Sequence, residues 1–255
     1  MEPPVTIAAV ADIHCKRTSR GELRALFARM AESADVLCLC GDLTDYGLPE
    51  EATILAGELA VVGDKPLLAV FGNHDHESGK ADEVERILCD AGVKLLDGES
   101  FEYRGVGFAG TKGFGGGFGE YALQSWGEVS IKHFVQEAVD ESLKLDRALA
   151  RLDVPKRVAL LHYAPIQATV EGEAPVLFPF LGSSRLEEPL NRHPVAAVLH
   201  GHAHAGSPAG RTASNVPVYN VSVPTLLRWR PDQPAFRLLE VVPEAPAVDG
   251  AARTA

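Results

Sequence analysis

Phe71-Gly72-Asn73-His74-Asp75-His76 is the stretch on which the reading of this chain turns. It closes the apolar run Pro66–Phe71 and precedes a charge-rich segment. That is the pattern of a buried strand that stops at a glycine and opens into a functional loop. Asn-His-Asp alone carries little information, because Asn and Asp are ordinary turn formers. Four other stretches repeat the design: Asp12-Ile13-His14 after Val5–Ala11, Gly41-Asp42 after Val36–Cys40, His162 after Arg157–Leu161, and Gly201-His202-Ala203-His204 after Ala196–His200. Five buried-type runs thus each deliver a carboxylate, amide or imidazole at the carboxyl end, the edge at which open α/β sheets place ligands.

Taken singly, an Asp after a strand is ordinarily a cap, and a His or Asn a packed or turn residue. The coincidence of five in one chain decides for a metal site. Asp12, His14, Asp42, Asn73, His162, His202 and His204 offer only oxygen and imidazole nitrogen, a donor set suited to manganese, iron or zinc and not to thiolate-selective copper. His202 and His204 alternate, so an extended backbone points both to one side. Seven ligands exceed what one ion with an open position takes; they fit two ions sharing a carboxylate. Asp42, after the middle of the first three runs, is the natural bridge.

Around these points the chain alternates. Strand Val5–Ala11, helix Glu22–Ser33, strand Val36–Cys40, helix Glu50–Val62 opened by Pro49, strand Pro66–Phe71 and helix Ala81–Ala91 form a βαβαβα series, which implies parallel strands with right-handed crossovers. Short strands follow at Val93–Leu96, Ser100–Tyr103 and Val106–Ala109. Then come a glycine-rich loop over Gly113–Gly119, the long helix Val129–Leu152, strand Arg157–Leu161 and a long loop, Tyr163–Ser184. A short helix at Leu186–Asn191 and strands at Ala196–His200, Val216–Val221 and Phe236–Val242 complete the pattern. From Pro243 the Ala- and Pro-rich tail has no periodicity and is expected to be disordered.

The chain has 255 residues, 46% of them hydrophobic, and no linker-like break, which favours one domain over residues 1–242. Its net charge of −11 argues against nonspecific nucleic-acid binding, which needs a basic surface. It leaves room for a small anionic substrate, because bound cations invert the local field. Cys15, Cys38, Cys40 and Cys89 match no zinc spacing and no disulfide framework; Cys38 and Cys40 are expected to share one buried face, and Cys15 to pack. The N-terminal apolar run is too short to span a membrane and lacks a basic leader. A cytoplasmic protein without membrane attachment is expected, and homo-oligomerisation stays open.

Asp12-x-His14, Gly41-Asp42, Gly72-Asn73-His74-Asp75, His162 and Gly201-His202-x-His204 together resemble the calcineurin-like metallophosphoesterases over nearly the whole chain. The resemblance implies a four-layer αββα sandwich, two mixed sheets face to face flanked by helices. It implies a ligand partition: Asp12, His14 and His204 on one ion, Asn73, His162 and His202 on the other, Asp42 between them. It places His74 beside the leaving group as proton donor or charge stabiliser, with Asp45 orienting it. In such two-metal chemistry a water shared by the cations is the nucleophile, so no protein nucleophile is needed, and none is evident. Asp75 reads as a residue that fixes its own loop, His200 as a buried supporting histidine, and His76 as a solvated turn residue; His133 and His193 are given no chemistry.

One departure bears on substrate. Protein serine/threonine phosphatases of this superfamily carry Arg after the orienting Asp; here Tyr46 follows Asp45. A small phosphodiester or nucleotide is therefore the expected substrate, with a phosphomonoesterase, a protein phosphatase or a catalytically silent binding scaffold as alternatives. The two loops are expected to wall the site, with Phe114, Phe118, Phe178 and Phe180 either stacking substrate or packing beneath their own loops.

Overall fold

The computed structural model describes residues 3–244. The tail expected to be disordered lies, from residue 245, outside them. Strands β1 (Val5–Val10), β2 (Val36–Cys40), β3 (Leu67–Val70) and β4 (Val93–Leu95) run parallel, with β11 (Arg237–Val241) antiparallel beside β1, in the order β11-β1-β2-β3-β4. Helices α1 (Arg24–Ser33), α2 (Pro49–Leu59) and α3 (Ala81–Asp90) are the crossovers. A second sheet of β5 (Glu99–Tyr103), β6 (Val106–Gly110), β7 (Lys156–Leu160), β8 (Val195–His200), β9 (Ala209–Arg211) and β10 (Pro217–Asn220) has the order β5-β6-β7-β8-β10-β9. Its outer face is covered by α4 (Val129–Ala150) and α6 (Glu187–Arg192).

The layers follow from the two-residue period of the strands. In β1, Ala8 and Val10 pack with Phe27, Met30, Leu55 and Leu88 beneath the first three helices, while Val5, Ile7 and Ala9 face the second sheet. In β2, Leu37 and Leu39 take the helical side, and Val36, Cys38 and Cys40 take the side between the sheets. Both faces are apolar because both are covered, which explains why these strands read as unbroken hydrophobic runs. In β7, Val158 and Leu160 fill the inter-sheet core, and Ala159 packs outward with Leu145, Ala148 and Leu149 of α4. The result is the expected four-layer sandwich.

Two departures matter for the site. The long loop after His162 contains a short helix, α5 (Phe178–Leu181), and is stitched to the glycine-rich loop: Gly116 N donates to Pro179 O (2.6 Å) and Gly117 N to Gly182 O (2.9 Å). The stretch after β10 turns into a helix, α7 (Val223–Trp229), whose N-terminus is capped by Ser222 accepting from Thr225 N. Among the described residues no helix is long and apolar enough to cross a membrane.

Candidate metal centre

The carboxyl ends of β1, β2, β3, β7 and β8 meet on one edge, and hydrogen bonds carry the pairing past the strand ends. Asp12 N donates to Gly41 O (3.0 Å) and His14 N to Asp42 O (3.0 Å). His162 Nδ1 lies 3.0 Å from Cys40 O, which ties the second sheet to the first. Close approach explains two of the glycines. A Cβ on Gly72 would overlap the Asp42 carboxylate, and one on Gly41 would overlap the His162 ring. Four of the expected ligands hold left-handed backbone: Asp12 (φ 58°), His14 (42°), Asp42 (50°) and His202 (67°). Such a conformation costs a non-glycine residue of order 1–3 kcal/mol and clusters at functional sites.

Donor atoms converge in three groups, one of them His14 with Asp45 and His74, and the expected ligands make up the other two. Asp12, His14 and His204 bring one donor each to within 4.8 Å of one another, and so do Asp42, His162 and His202. His204 Nε2 sits 2.9 Å from Asp12 Oδ1. Asn73 Oδ1 joins the second group, 3.0 Å from His162 Nε2. Asp42 touches both: its Oδ1 is 3.4 Å from His162 Nε2 and its Oδ2 is 3.8 Å from His14 Nε2.

These residues fit a pair of cations on their own chemistry. A backbone carbonyl can only accept, so Cys40 O fixes the proton of His162 on Nδ1 and leaves Nε2 facing Asn73 and Asp42. Phe180 O does the same for His202 Nε2 at 3.1 Å, turning its Nδ1 inward. His14 turns Nε2 toward Asp42, and its Nδ1, which makes no hydrogen bond, toward the Asp45 carboxylate. Burial also keeps imidazoles neutral and able to lend a lone pair: it lowers the pKa of His14, and it brings that of His202 down to about 4, helped by neighbouring His162. His162 behaves oppositely. Burial disfavours its charge, yet the Asp42 carboxylate raises it to about 9 and is itself held low by this imidazole despite its own burial. A proton on His162 and a cation beside Asp42 are alternative ways of compensating the same carboxylate.

The remaining expected residues fall into place around this edge. His74 presents a 34% exposed side chain next to His14, ring centroids 4.6 Å apart and nearly perpendicular, and its amide donates to Asp42 Oδ1 (2.9 Å). Asp45 meets His74 with its main chain: His74 Nδ1 donates to the Asp45 carbonyl at 2.6 Å. Its carboxylate turns instead to His14 Nδ1 (3.5 Å) and Lys16 Nζ (3.8 Å). Asp75 is fully buried and accepts from the amides of Gly72, Leu43 and Thr44 and from the Thr44 hydroxyl. It ties the 72–76 turn to the one after β2. His200 is buried, Nδ1 donating to Gly201 O and Nε2 at 2.9 Å from Thr169 Oγ1. Cys15 lies in the core beneath the helices, and His76 is exposed with its ring edge-on to Phe71.

Beside Asn73 and His202 lies a cavity of about 210 Å³, walled by Phe114, Phe134, Tyr163 and Phe180 with Gly115. Tyr163 packs against His202 with ring centroids 4.4 Å apart and the planes tilted by 48°. Of the four loop phenylalanines, Phe118 and Phe178 do not line this cavity and pack against each other between the two loops. Their rings lie 6.4 Å apart, Phe118 in a small core with Leu181 and Ala203 that joins the two loops. Phe134 takes a wall position that sequence reasoning missed. It stands 4.9 Å from Phe114 and 6.2 Å from Phe180, on a helix where one more aromatic at core-like spacing carries no distinguishing signal.

Comparison with known proteins agrees with this architecture. The crystal structure of phosphopantetheinyl hydrolase from Mycobacterium tuberculosis superposes with a TM-score of 0.65 at 16% identity, covering 96% of this chain and 98% of the other. That of TT1561 from Thermus thermophilus gives 0.53 at 17%, covering 94% and 99%. At such identities the likeness is one of fold. No curated protein matches the chain in sequence. Residues 5–206, the span from β1 to the loop after His204, match the sequence family described as calcineurin-like phosphoesterase. The chain is a member of the calcineurin-like phosphoesterase family, a metallophosphoesterase and hence a hydrolase of phosphoesters.

Proposed function

We propose that this enzyme is a phosphodiesterase that hydrolyses a small phosphodiester with two cations held by Asp12, His14 and His204 on one side and Asn73, His162 and His202 on the other, Asp42 serving both. The observation that carries the reading is the pair of imidazoles, His162 and His202: each has one nitrogen tied to a backbone carbonyl, His162 turns the other to Asn73 and Asp42, and both bring a donor to the Asp42 group. When bound, such cations supply Lewis acidity and lower the pKa of water; manganese, iron and zinc all suit this donor set.

The chain's own groups do the rest. Asp12 and Asp42, both buried, supply the fixed negative charge that holds the cations. His74 holds one proton on Nδ1 in a hydrogen bond to the Asp45 carbonyl, which leaves Nε2 to take up a second proton from solvent and pass it to the departing ester oxygen. The aromatic cavity next to Asn73 and His202 offers room for an ester arm beyond the scissile bond. A diester with one negative charge suits a site in which the half-exposed Tyr46 follows Asp45 where protein phosphatases of this superfamily have a cation.

The test is turnover of bis-p-nitrophenyl phosphate against p-nitrophenyl phosphate on metal-depleted protein restored with manganese. The diester is expected to show the larger kcat/KM. A preference for the monoester would replace this reading with a phosphomonoesterase. No turnover of either with manganese, iron or zinc would favour a binding scaffold.

A further inference from the structure

The aromatic cavity is poor in hydrogen-bonding side chains. Its four rings surround about 210 Å³, and the other side chains that reach it, Asn73 and His202, belong to the metal cluster. The Tyr163 phenol is the remaining polar side-chain group in the wall. A nucleobase presents several edge donors and acceptors, and a site built to read one answers them with placed polar groups. Here they are scarce.

The loop and the helix that supply Phe180 and Phe134 carry further exposed apolar side chains. Phe180 is itself 58% exposed, and Val176, four residues before it, is 79% exposed. Ile131 lies three residues before Phe134 on α4, hence on the same face, and is 39% exposed. Singly, exposed apolar residues mean little. Sharing a loop and a helix with two walls of an apolar cavity that abuts a metal cluster, these point to a binding groove.

We propose that one ester arm of the substrate is an apolar chain, alkyl or aryl-alkyl, which starts at the scissile phosphoryl group beside Asn73 and His202. It fills the Phe114–Phe134–Tyr163–Phe180 cavity and leaves over Phe180 toward Val176 and Ile131. The substrate class is an amphiphilic phosphodiester. This rests on the phosphodiesterase reading and narrows it. The cavity has room for about seven groups of water size, at roughly 30 Å³ each, so a chain of six to eight carbons fills it.

The experiment measures kcat/KM for the methyl, butyl, hexyl and octyl esters of p-nitrophenyl phosphate, each below its micellar concentration, and for thymidine 5′-p-nitrophenyl phosphate. Burying each added methylene is expected to raise kcat/KM about two- to fourfold, and the octyl ester is expected to exceed the thymidine ester at least about tenfold. Phe134→Ala is expected to flatten the chain-length slope. A flat or falling series with the methyl ester still hydrolysed, a thymidine ester that outperforms the octyl one, or a slope unchanged in Phe134→Ala would overturn the proposal and leave the phosphodiesterase reading standing. No hydrolysis of any ester would overturn both.

Discussion

His74 is oriented by the backbone of Asp45 and not by its side chain: Nδ1 donates to the Asp45 carbonyl at 2.6 Å, while the Asp45 carboxylate lies against His14 and Lys16. The two residues therefore separate under mutation. His74→Ala removes the proton-bearing ring and is expected to lower kcat about 10²- to 10⁴-fold, with bound metal, assayed by plasma mass spectrometry, near that of the parent. Asp45→Asn keeps the carbonyl and is expected to lower kcat less than about tenfold. A loss in Asp45→Asn as large as in His74→Ala would show that the carboxylate, not the carbonyl, is what His74 needs.

Gly72 lies where any side chain would strike the Asp42 carboxylate. Gly72→Ala is expected to destabilise the fold by about 1–3 kcal/mol, the usual cost of overpacking, and to lower metal stoichiometry at the same time. Thermal unfolding and metal analysis on one preparation test this. Full metal content with a normal Tm would mean that Asp42 can withdraw without harm.

Glu141 of α4 is buried and accepts from the Thr111 hydroxyl and from Gly113 N (2.7 Å), with the Lys144 ammonium as its counter-charge at 2.8 Å. Burial works against charge on Lys144, but its hydrogen bonds to Glu141 and Asp97 hold its pKa well above the ordinary lysine value. A raised folded-state pKa gives stability that is complete below the unfolded value, ~10.4, and lost as pH climbs through the folded one. Lys144→Met is expected to lower urea-unfolding free energy by about 1–2 kcal/mol at pH 7 to 9, solvent screening of the half-exposed ammonium included. That gap should begin to narrow above about pH 10.4 and vanish only above the folded-state value. A gap that widens with pH would contradict the sign.

The four cysteines are free; Cys15, Cys38 and Cys40 are buried and Cys89 is exposed. Burial pushes the Cys15 thiol up to about 12 and those of Cys38 and Cys40 higher still. One equivalent of thiol is expected to react with Ellman's reagent in the native protein at pH 8, and four in guanidinium chloride. A second fast equivalent under native conditions would place Cys15 near solvent instead of beneath the helices.

Much of this site was legible because each of its strands announces its own end. Val36–Cys40 is apolar on both faces and then breaks at Gly41-Asp42; Val195–His200 does the same before Gly201-His202. Partition into two donor groups was a different matter, since spacing along the chain cannot say which strand end faces which. That needs the inter-sheet contact between His162 and Cys40, 122 residues apart. The orientation of Asp45 was likewise hidden, because it depends on the path of one loop. Helix α7 was missed: Val221-Ser222-Val223-Pro224 reads locally as extended, and only the Ser222 cap and the packing of Leu226 between the sheets reveal the turn. The place of Phe134 in the cavity wall was hidden for the same reason. An aromatic's spacing gives its face, but not which loop closes over it.

Asp12, His14, Asp42 and His202 occupy backbone that glycine or asparagine would hold more cheaply. Breeding this chain for heat tolerance alone should therefore draw Gly and Asn to those four codons and silence the enzyme as its melting point climbs. Replacements that gather there under such a screen, and not under one that also demands turnover, would mark where durability has been surrendered for chemistry.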